Sequence, residues 1–83
     1  MGKITVIFEL HTILRRQIPE GRFSRIKREF DRELSIEEAL KELMIDLDPE
    51  QTLIVVNQQN VNLEYQLQDG DIVNLIPAIA GGN

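Results

Sequence analysis

The sequence predicts an α+β fold in which one main helix packs across one face of a mixed sheet of four to five strands. Three observations support this prediction: alternating apolar residues near the start, one strong helix signature near the middle, and short apolar strands on both sides of it. The chain has 83 residues. We therefore expect a single domain over residues 1–83, with a modest core and a flexible C-terminal tail over residues 78–83.

Residues 3–10 predict the first strand, because apolar and polar side chains alternate along them. Four apolar side chains share its core face: Ile4, Val6, Phe8 and Leu10. Ile7 falls on the opposite face, which is otherwise polar. Residues 23–30 predict a second strand, with Ile26 and Phe30 on its core face.

Ser35 is the predicted start of the helix, because Ser35-Ile36-Glu37-Glu38 has the form of a capping box. In this motif the serine oxygen accepts a hydrogen bond from the Glu38 N–H, and the Glu38 carboxylate reaches back to the cap. An apolar stripe follows at helical spacing: Ile36, Ala39, Leu40, Leu43, Met44 and Leu47. Asp48-Pro49 is predicted to stop the helix, since the residue before a proline disfavours helical geometry.

The segments after the helix predict further strands. Residues 52–56 are apolar on both faces, which favours a strand in the middle of the sheet. Residues 57–60 predict a polar turn. Residues 61–67 alternate apolar and polar side chains and fit either a short strand or an irregular segment held by its apolar residues.

The last strand comes after a turn at Asp69-Gly70-Asp71. It is predicted over residues 72–76, with Val73 and Leu75 facing the helix, and it ends at Pro77 because proline has no N–H to donate. The predicted order is strand, strand, helix, strand, short strand, strand. That order is the β-grasp arrangement.

Composition excludes several function classes. The chain has no cysteine and one histidine, which argues against disulfides, thiolate chemistry and transition-metal sites, so we expect no cofactor or metal. A net charge of −5 argues against nucleic-acid binding. The basic stretch 15–32 is interrupted by acids and is best explained as a solvated face, with a second docking surface or a weak nucleic-acid patch as the alternatives. No apolar run is long enough to span a bilayer, and we expect a cytoplasmic protein without a membrane partner.

The C-terminal tail is the most informative segment. Its glycines, Gly81 and Gly82, lack a Cβ, so the backbone there can enter a passage too narrow for other residues. The Asp-Gly-Asp turn, the apolar strand and the ending Pro-x-Ile-Ala-Gly-Gly resemble the ubiquitin-like sulfur carriers of molybdopterin and thiamine biosynthesis. The sequence is most similar to the small subunit of molybdopterin synthase, in which Val56-Asn57-Gln58 also has a counterpart.

The resemblance implies that the chain is not an enzyme alone but a co-substrate. The Gly82 carboxylate would be adenylated by a ubiquitin-activating-like adenylyltransferase and converted to a thiocarboxylate. The sulfur would then pass to a pterin precursor in the molybdopterin synthase large subunit, or to a thiazole synthase in the thiamine branch. The resemblance also implies that the open sheet face and tail dock these partners. Ile7 and Ile76 are expected to form one apolar patch on the open face that leads to Pro77 and Ile79. The implied interface residues are Ile7, Ile76, Pro77, Ile79 and Ala80.

Asn83 departs from the family pattern, in which the second glycine is the last residue. Three explanations remain open: a processing protease removes Asn83, the residue is foreign to the natural chain, or the protein has kept the fold and lost the carrier role. We favour removal. The alternative function class is a ubiquitin-like protein modifier or interaction module, which would be found in isopeptide links rather than as a thiocarboxylate.

Overall fold

The computed structural model describes residues 2–11 and 25–77. Its elements are β1 (Ile4–Leu10), β2 (Arg25–Phe30), α1 (Ile36–Leu43), a 3₁₀ turn (Pro49–Gln51), β3 (Thr52–Val56), β4 (Gln59–Asn60) and β5 (Ile72–Pro77). The predicted tail segment 78–83 and the first part of the basic stretch lie outside the described residues.

The described strands form one mixed sheet in the order β2-β1-β5-β3-β4. Strands β1 and β5 run parallel, whereas the other neighbouring pairs are antiparallel. Helix α1 supplies buried side chains to one face of this sheet. The predicted fold class, a mixed sheet with one helix across one face, is therefore confirmed.

The side chains on the helix-facing side of the sheet alternate as the sequence predicts. All four core-face residues of β1 are buried, and Ile26 and Phe30 of β2 are buried beside them. The rings of Phe8 and Phe30 meet edge to face, with centroids 6.4 Å apart and an interplanar angle of 81°. Val73 and Leu75 of β5 are fully buried in the centre of the same layer.

Helix α1 begins as predicted and ends earlier than predicted. Ser35 and Glu38 form both hydrogen bonds of the capping box, at 3.1 and 2.9 Å. The helix stops at Leu43, four residues before the expected stop signal, because Met44 adopts the left-handed conformation with φ 58°. The N–H groups of Met44 and Ile45 bond to the carbonyls of Lys41 and Leu40, which is the Schellman pattern.

The early stop moves two residues of the predicted apolar stripe. Met44, expected on the buried face, is 85% exposed, and Ile45 is buried in its place. Leu47 still packs against the core, but from the connection after the helix. Glycine normally occupies the left-handed position of this motif, so a methionine there gave no stop signal.

Strand β3 is an interior strand of the sheet, as predicted, because it pairs with β5 on one side and with β4 on the other. It lies second from one edge, and β4 covers only Val55 and Val56. Leu53 lies on the open face of the sheet and is 45% exposed, so the two apolar faces of this strand are not both buried. The predicted polar turn is shorter than expected: Asn57 and Gln58 form it, with φ of 50° and 74°.

The segment 61–67 is irregular, one of the two outcomes that the sequence allowed. Val61, Leu63 and Tyr65 are half-buried against the core, and Leu67 is fully buried. Its backbone also holds the helix start, because Ile36 and Glu37 donate their N–H groups to carbonyls of this segment.

Burial predicts how two leucines differ in their contribution to stability. Leu75→Ala should lower the free energy of unfolding by about 2–5 kcal/mol, because it removes a fully buried side chain and leaves a cavity. Leu53→Ala should cost less than about 1 kcal/mol, because that side chain is already partly in water. Urea denaturation measures both, and equal losses would contradict the core described here.

Candidate functional site

Strand β5 is the element that positions the C-terminal tail. It lies between β1 and β3, and its register places Leu75 beside Leu10 and Pro77 beside Thr52. The N–H of His11 extends the pairing by donating to the carbonyl of Leu75 at 3.1 Å. The backbone is therefore held on both sides up to Leu75, and by β3 alone up to Pro77, the last described residue of the chain.

The open sheet face carries two apolar clusters rather than one continuous patch. Ile7 lies beside Ile72 on the neighbouring strand, whereas Ile76 lies beside Leu53. Ile72 and Ile76 are four positions apart along β5, which corresponds to about 13 Å. The structure therefore does not bring Ile7 and Ile76 together.

We call Leu53, Ile76 and Pro77 the tail-exit patch, because they surround the point where the chain leaves the sheet. Leu53 is the most exposed of the three, and the other two are half-buried. The sequence prediction did not include Leu53 in the site. The sequence did contain a signal for Leu53, because β3 is apolar on both faces.

A stripe of two polar residues on β1 and β5 lies between the two apolar clusters, and the half-buried Val55 of β3 continues the same row. Glu9 and Asn74 are register partners on β1 and β5. The Glu9 carboxylate lies 3.4 Å from the Arg25 guanidinium, and the Asn74 Oδ1 atom lies 2.9 Å from His11 Nε2. A partner that covers the whole open face must therefore offer polar groups to this stripe, because a buried polar group without a partner is costly.

A buried carboxylate fixes the start of β5. Asp71 is only 5% exposed, and its two oxygens accept hydrogen bonds from the Asn57 side chain at 2.8 Å and from the Gln68 N–H at 2.9 Å. The Asn57 Oδ1 atom in turn accepts from the Ile72 N–H at 3.0 Å. This network joins the β3–β4 turn to the first residue of β5.

The same carboxylate acts on the single tyrosine. The pKa of Tyr65 is raised above its ordinary value of 10.0 by burial first, then by the negative charge of Asp71, to which its phenol is also hydrogen-bonded. The folded state thus favours the neutral phenol. Its contribution to stability is complete below pH 10.0 and is lost as the pH rises through the pKa of the folded protein.

Asp69 and Asp71 serve the turn, as the sequence predicts. Asp69 Oδ1 accepts from the Thr5 N–H at 2.8 Å, and the Gly70 N–H donates to the Thr5 carbonyl at 2.8 Å. Gly70 has φ 89°, a conformation that other residues rarely adopt. The two carboxylates are engaged in separate structural hydrogen bonds rather than arranged as an acid–base pair.

Comparison with known proteins decides the family. The model of the ThiS family matches residues 15–82. The chain belongs to the ThiS family. The resemblance to ubiquitin-like sulfur carriers, first noted from the turn, strand and tail, is therefore confirmed at the level of the family. The match ends at Gly82 and leaves Asn83 outside it. No curated protein matched the sequence.

Solved structures share the fold. The putative molybdopterin converting factor subunit 1 from Pyrococcus furiosus is 18% identical, with a TM-score of 0.70 over 92% of this chain and 99% of its own. The modifier protein SAMP1 from Haloferax volcanii is 16% identical, with a TM-score of 0.71 over 94% and 99%. A complex of subunits 1 and 2 of molybdopterin-converting factor from Helicobacter pylori gives 17% identity and a TM-score of 0.55 over 92% and 96%. At these identities the likeness establishes the β-grasp fold.

The remaining sequence-predicted site residues, Ile79, Ala80, Gly81 and Gly82, lie outside the described part of the chain. Within that part, no helix combines the length and apolarity needed to cross a membrane.

Asp71→Asn should lower the pKa of Tyr65 while leaving it above 10.0, because the charge is removed and the burial remains. The chain has one tyrosine and no tryptophan, so phenolate absorbance during an alkaline titration reports Tyr65 alone. Asp69→Asn is the matched control and should not move the titration. Identical curves for both variants would contradict the role assigned to Asp71.

Proposed function

We propose that this protein is a sulfur carrier whose Gly82 carboxylate is converted to a thiocarboxylate and donates sulfur in molybdopterin biosynthesis. The observation that carries the proposal is the direct continuation of β5, held by hydrogen bonds on both sides, into a tail with the Gly-Gly ending of the ThiS family. A rigid strand gives the tail a defined starting point. Glycine then allows its end to enter a narrow active site of a partner.

The proposed chemistry takes place at the carbonyl carbon of Gly82. A carboxylate oxygen attacks the α-phosphate of ATP, and pyrophosphate leaves, which gives an acyl-adenylate. The terminal sulfur of a partner's persulfide then attacks the carbonyl carbon and AMP leaves. A thiol finally reduces the sulfur–sulfur bond of the acyl persulfide, and the released product is the thiocarboxylate. This route explains how a chain without cysteine carries sulfur.

Asn83 must be removed before this chemistry, because it occupies the terminal carboxylate position. We propose hydrolysis of the Gly82–Asn83 peptide bond by a processing protease. The family match, which ends at Gly82, supports this assignment of the reactive residue.

Two partners use the tail in this proposal: a ubiquitin-activating-like adenylyltransferase and a synthase large subunit. The tail-exit patch is the proposed anchor for both, continued by Ile79 and Ala80 of the tail. Ile7, with Ile72, forms a second and separate contact on the same face. The Helicobacter pylori complex, in which a protein of this fold is assembled with subunit 2, supports a large-subunit partner.

Two other functions fit the same fold. A thiazole synthase in place of the molybdopterin enzyme would make the chain a thiamine-branch carrier, as the name of the matched family suggests. The likeness to SAMP1 keeps a protein modifier as the alternative outside the carrier class. The identity of the acceptor separates the three: a pterin precursor, a thiazole precursor or a lysine of another protein.

The position of the terminal carboxylate predicts which form of the chain is activated. A chain ending at Gly82, incubated with the adenylyltransferase and ATP, should release pyrophosphate and form the acyl-adenylate. The chain ending at Asn83 should release none above background. Equal pyrophosphate release from both forms would show that Gly82 is not the acceptor, and release from neither would reject the carrier proposal for this enzyme.

The tail-exit patch predicts a loss of binding without a loss of fold. Ile76→Asp places a charge at the centre of the patch and should weaken binding of the adenylyltransferase by about tenfold or more. Met44→Asp is the control, because it makes a similar change at an exposed apolar side chain on the helix side. Calorimetric titration measures both affinities. Unchanged binding by Ile76→Asp would remove the patch from the interface.

A further inference from the structure

A groove lies on the helix side of the molecule, away from the open sheet face. It has a volume of about 230 Å³ and runs between α1, the connection after the helix and the irregular segment. Its apolar lining residues are Leu40, Ile45, Leu47, Pro49 and Leu63. A mainly apolar groove of this volume is large enough to accept one or two side chains of a partner.

Met44 is an exposed apolar residue whose neighbour in the chain, Ile45, lines this groove. The exposed fraction of Met44 is 85%. Its left-handed backbone, with φ 58°, would be more favourable for glycine. A large flexible apolar side chain therefore occupies a position where both solvation and backbone geometry disfavour it. Methionine is suited to contact with varied apolar partners.

The charge around the groove is mainly negative. Glu37 and Asp46 line it, with Lys41 as the one opposing charge among its lining residues. Other acids follow on the same stretch of chain: Glu38, Glu42, Asp48 and Glu50. All four are exposed. Glu37 is ion-paired with Lys41 and Glu42 with Arg32, but the stretch as a whole remains negative. Negative charge beside an apolar groove attracts a basic partner and repels an acidic one.

From these observations we infer that the groove and Met44 form a second docking surface for a basic amphipathic segment of another protein. Apolar side chains of that segment seat on Leu40, Ile45 and Leu63, and its lysines or arginines face Glu37 and Asp46. The surface lies on the other side of the sheet from the tail-exit patch. Both surfaces can therefore be occupied at the same time, and the inference does not depend on the proposed sulfur chemistry.

A synthetic peptide tests this inference directly. The probe is an amphipathic helix of about 14 residues, built from leucine and lysine with leucines at i, i+3 and i+4 spacing. Amide chemical-shift changes on titration should saturate and concentrate at Leu40, Ile45, Leu47 and Leu63. A matched peptide with glutamate in place of lysine should bind at least about tenfold more weakly. Shifts spread over the whole acidic surface, or self-association of the protein without peptide binding, would overturn the inference.

Two pairs of variants distinguish peptide binding in the groove from general attraction of the peptide to negative charge. Glu37→Lys should weaken binding about tenfold, whereas Glu29→Lys should change it by less than about threefold. Both glutamates are exposed and ion-paired with a lysine, at 3.9 and 3.8 Å, and both substitutions change the net charge equally. Equal weakening by the two variants would show that peptide binding depends only on the net charge of the protein.

The second pair tests the apolar contact without risking the fold. Met44→Gly should raise the midpoint of thermal unfolding, since glycine accepts the left-handed backbone, and should still weaken peptide binding by about threefold or more. Leu53→Ala removes an exposed apolar side chain on the other sheet face and should leave peptide binding unchanged. Unchanged binding by Met44→Gly would exclude Met44 from the surface.

Discussion

The pairing of β5 on both edges is the constraint on which the rest of the structure depends. This strand bonds in parallel to β1 and antiparallel to β3, and its inward side chains, Val73 and Leu75, are fully buried. The Asp71 network fixes its first residue, and Thr52 pairs with its last. The strand is therefore held at both ends, and the position of Pro77, the last described residue before the tail, is set by the core.

That constraint also organises the surface. The parallel register places Ile7 with Ile72 and the polar pair Glu9 and Asn74 after them, so that the apolar surface at the tail exit is a separate cluster. The helix covers the other face, and the groove on that side is lined by the acidic residues Glu37 and Asp46. The tail-exit patch and the groove thus lie on opposite faces of the sheet.

Sequence patterns predicted the elements whose signals are local. Alternation in β1 and the capping box at Ser35 gave the first strand and the helix start, because both depend on neighbouring residues only. The helix end was missed because Met44, rather than glycine, occupies the left-handed position. The division of the apolar patch was missed because it depends on the β1–β5 register, which joins residues more than sixty positions apart. Leu53 was missed as a site residue for a similar reason, because its place beside Ile76 depends on the β3–β5 register.

The central claim is that Gly82 carries sulfur at its carboxylate, and the intact mass of the chain tests it most directly. The untagged protein would be taken from its native cells and its C-terminal fragments recorded. The account predicts a chain that ends at Gly82, with a fraction heavier by the exchange of one oxygen for sulfur. A chain that uniformly ends at Asn83, without sulfur, would contradict the carrier function and leave an interaction module on the same fold.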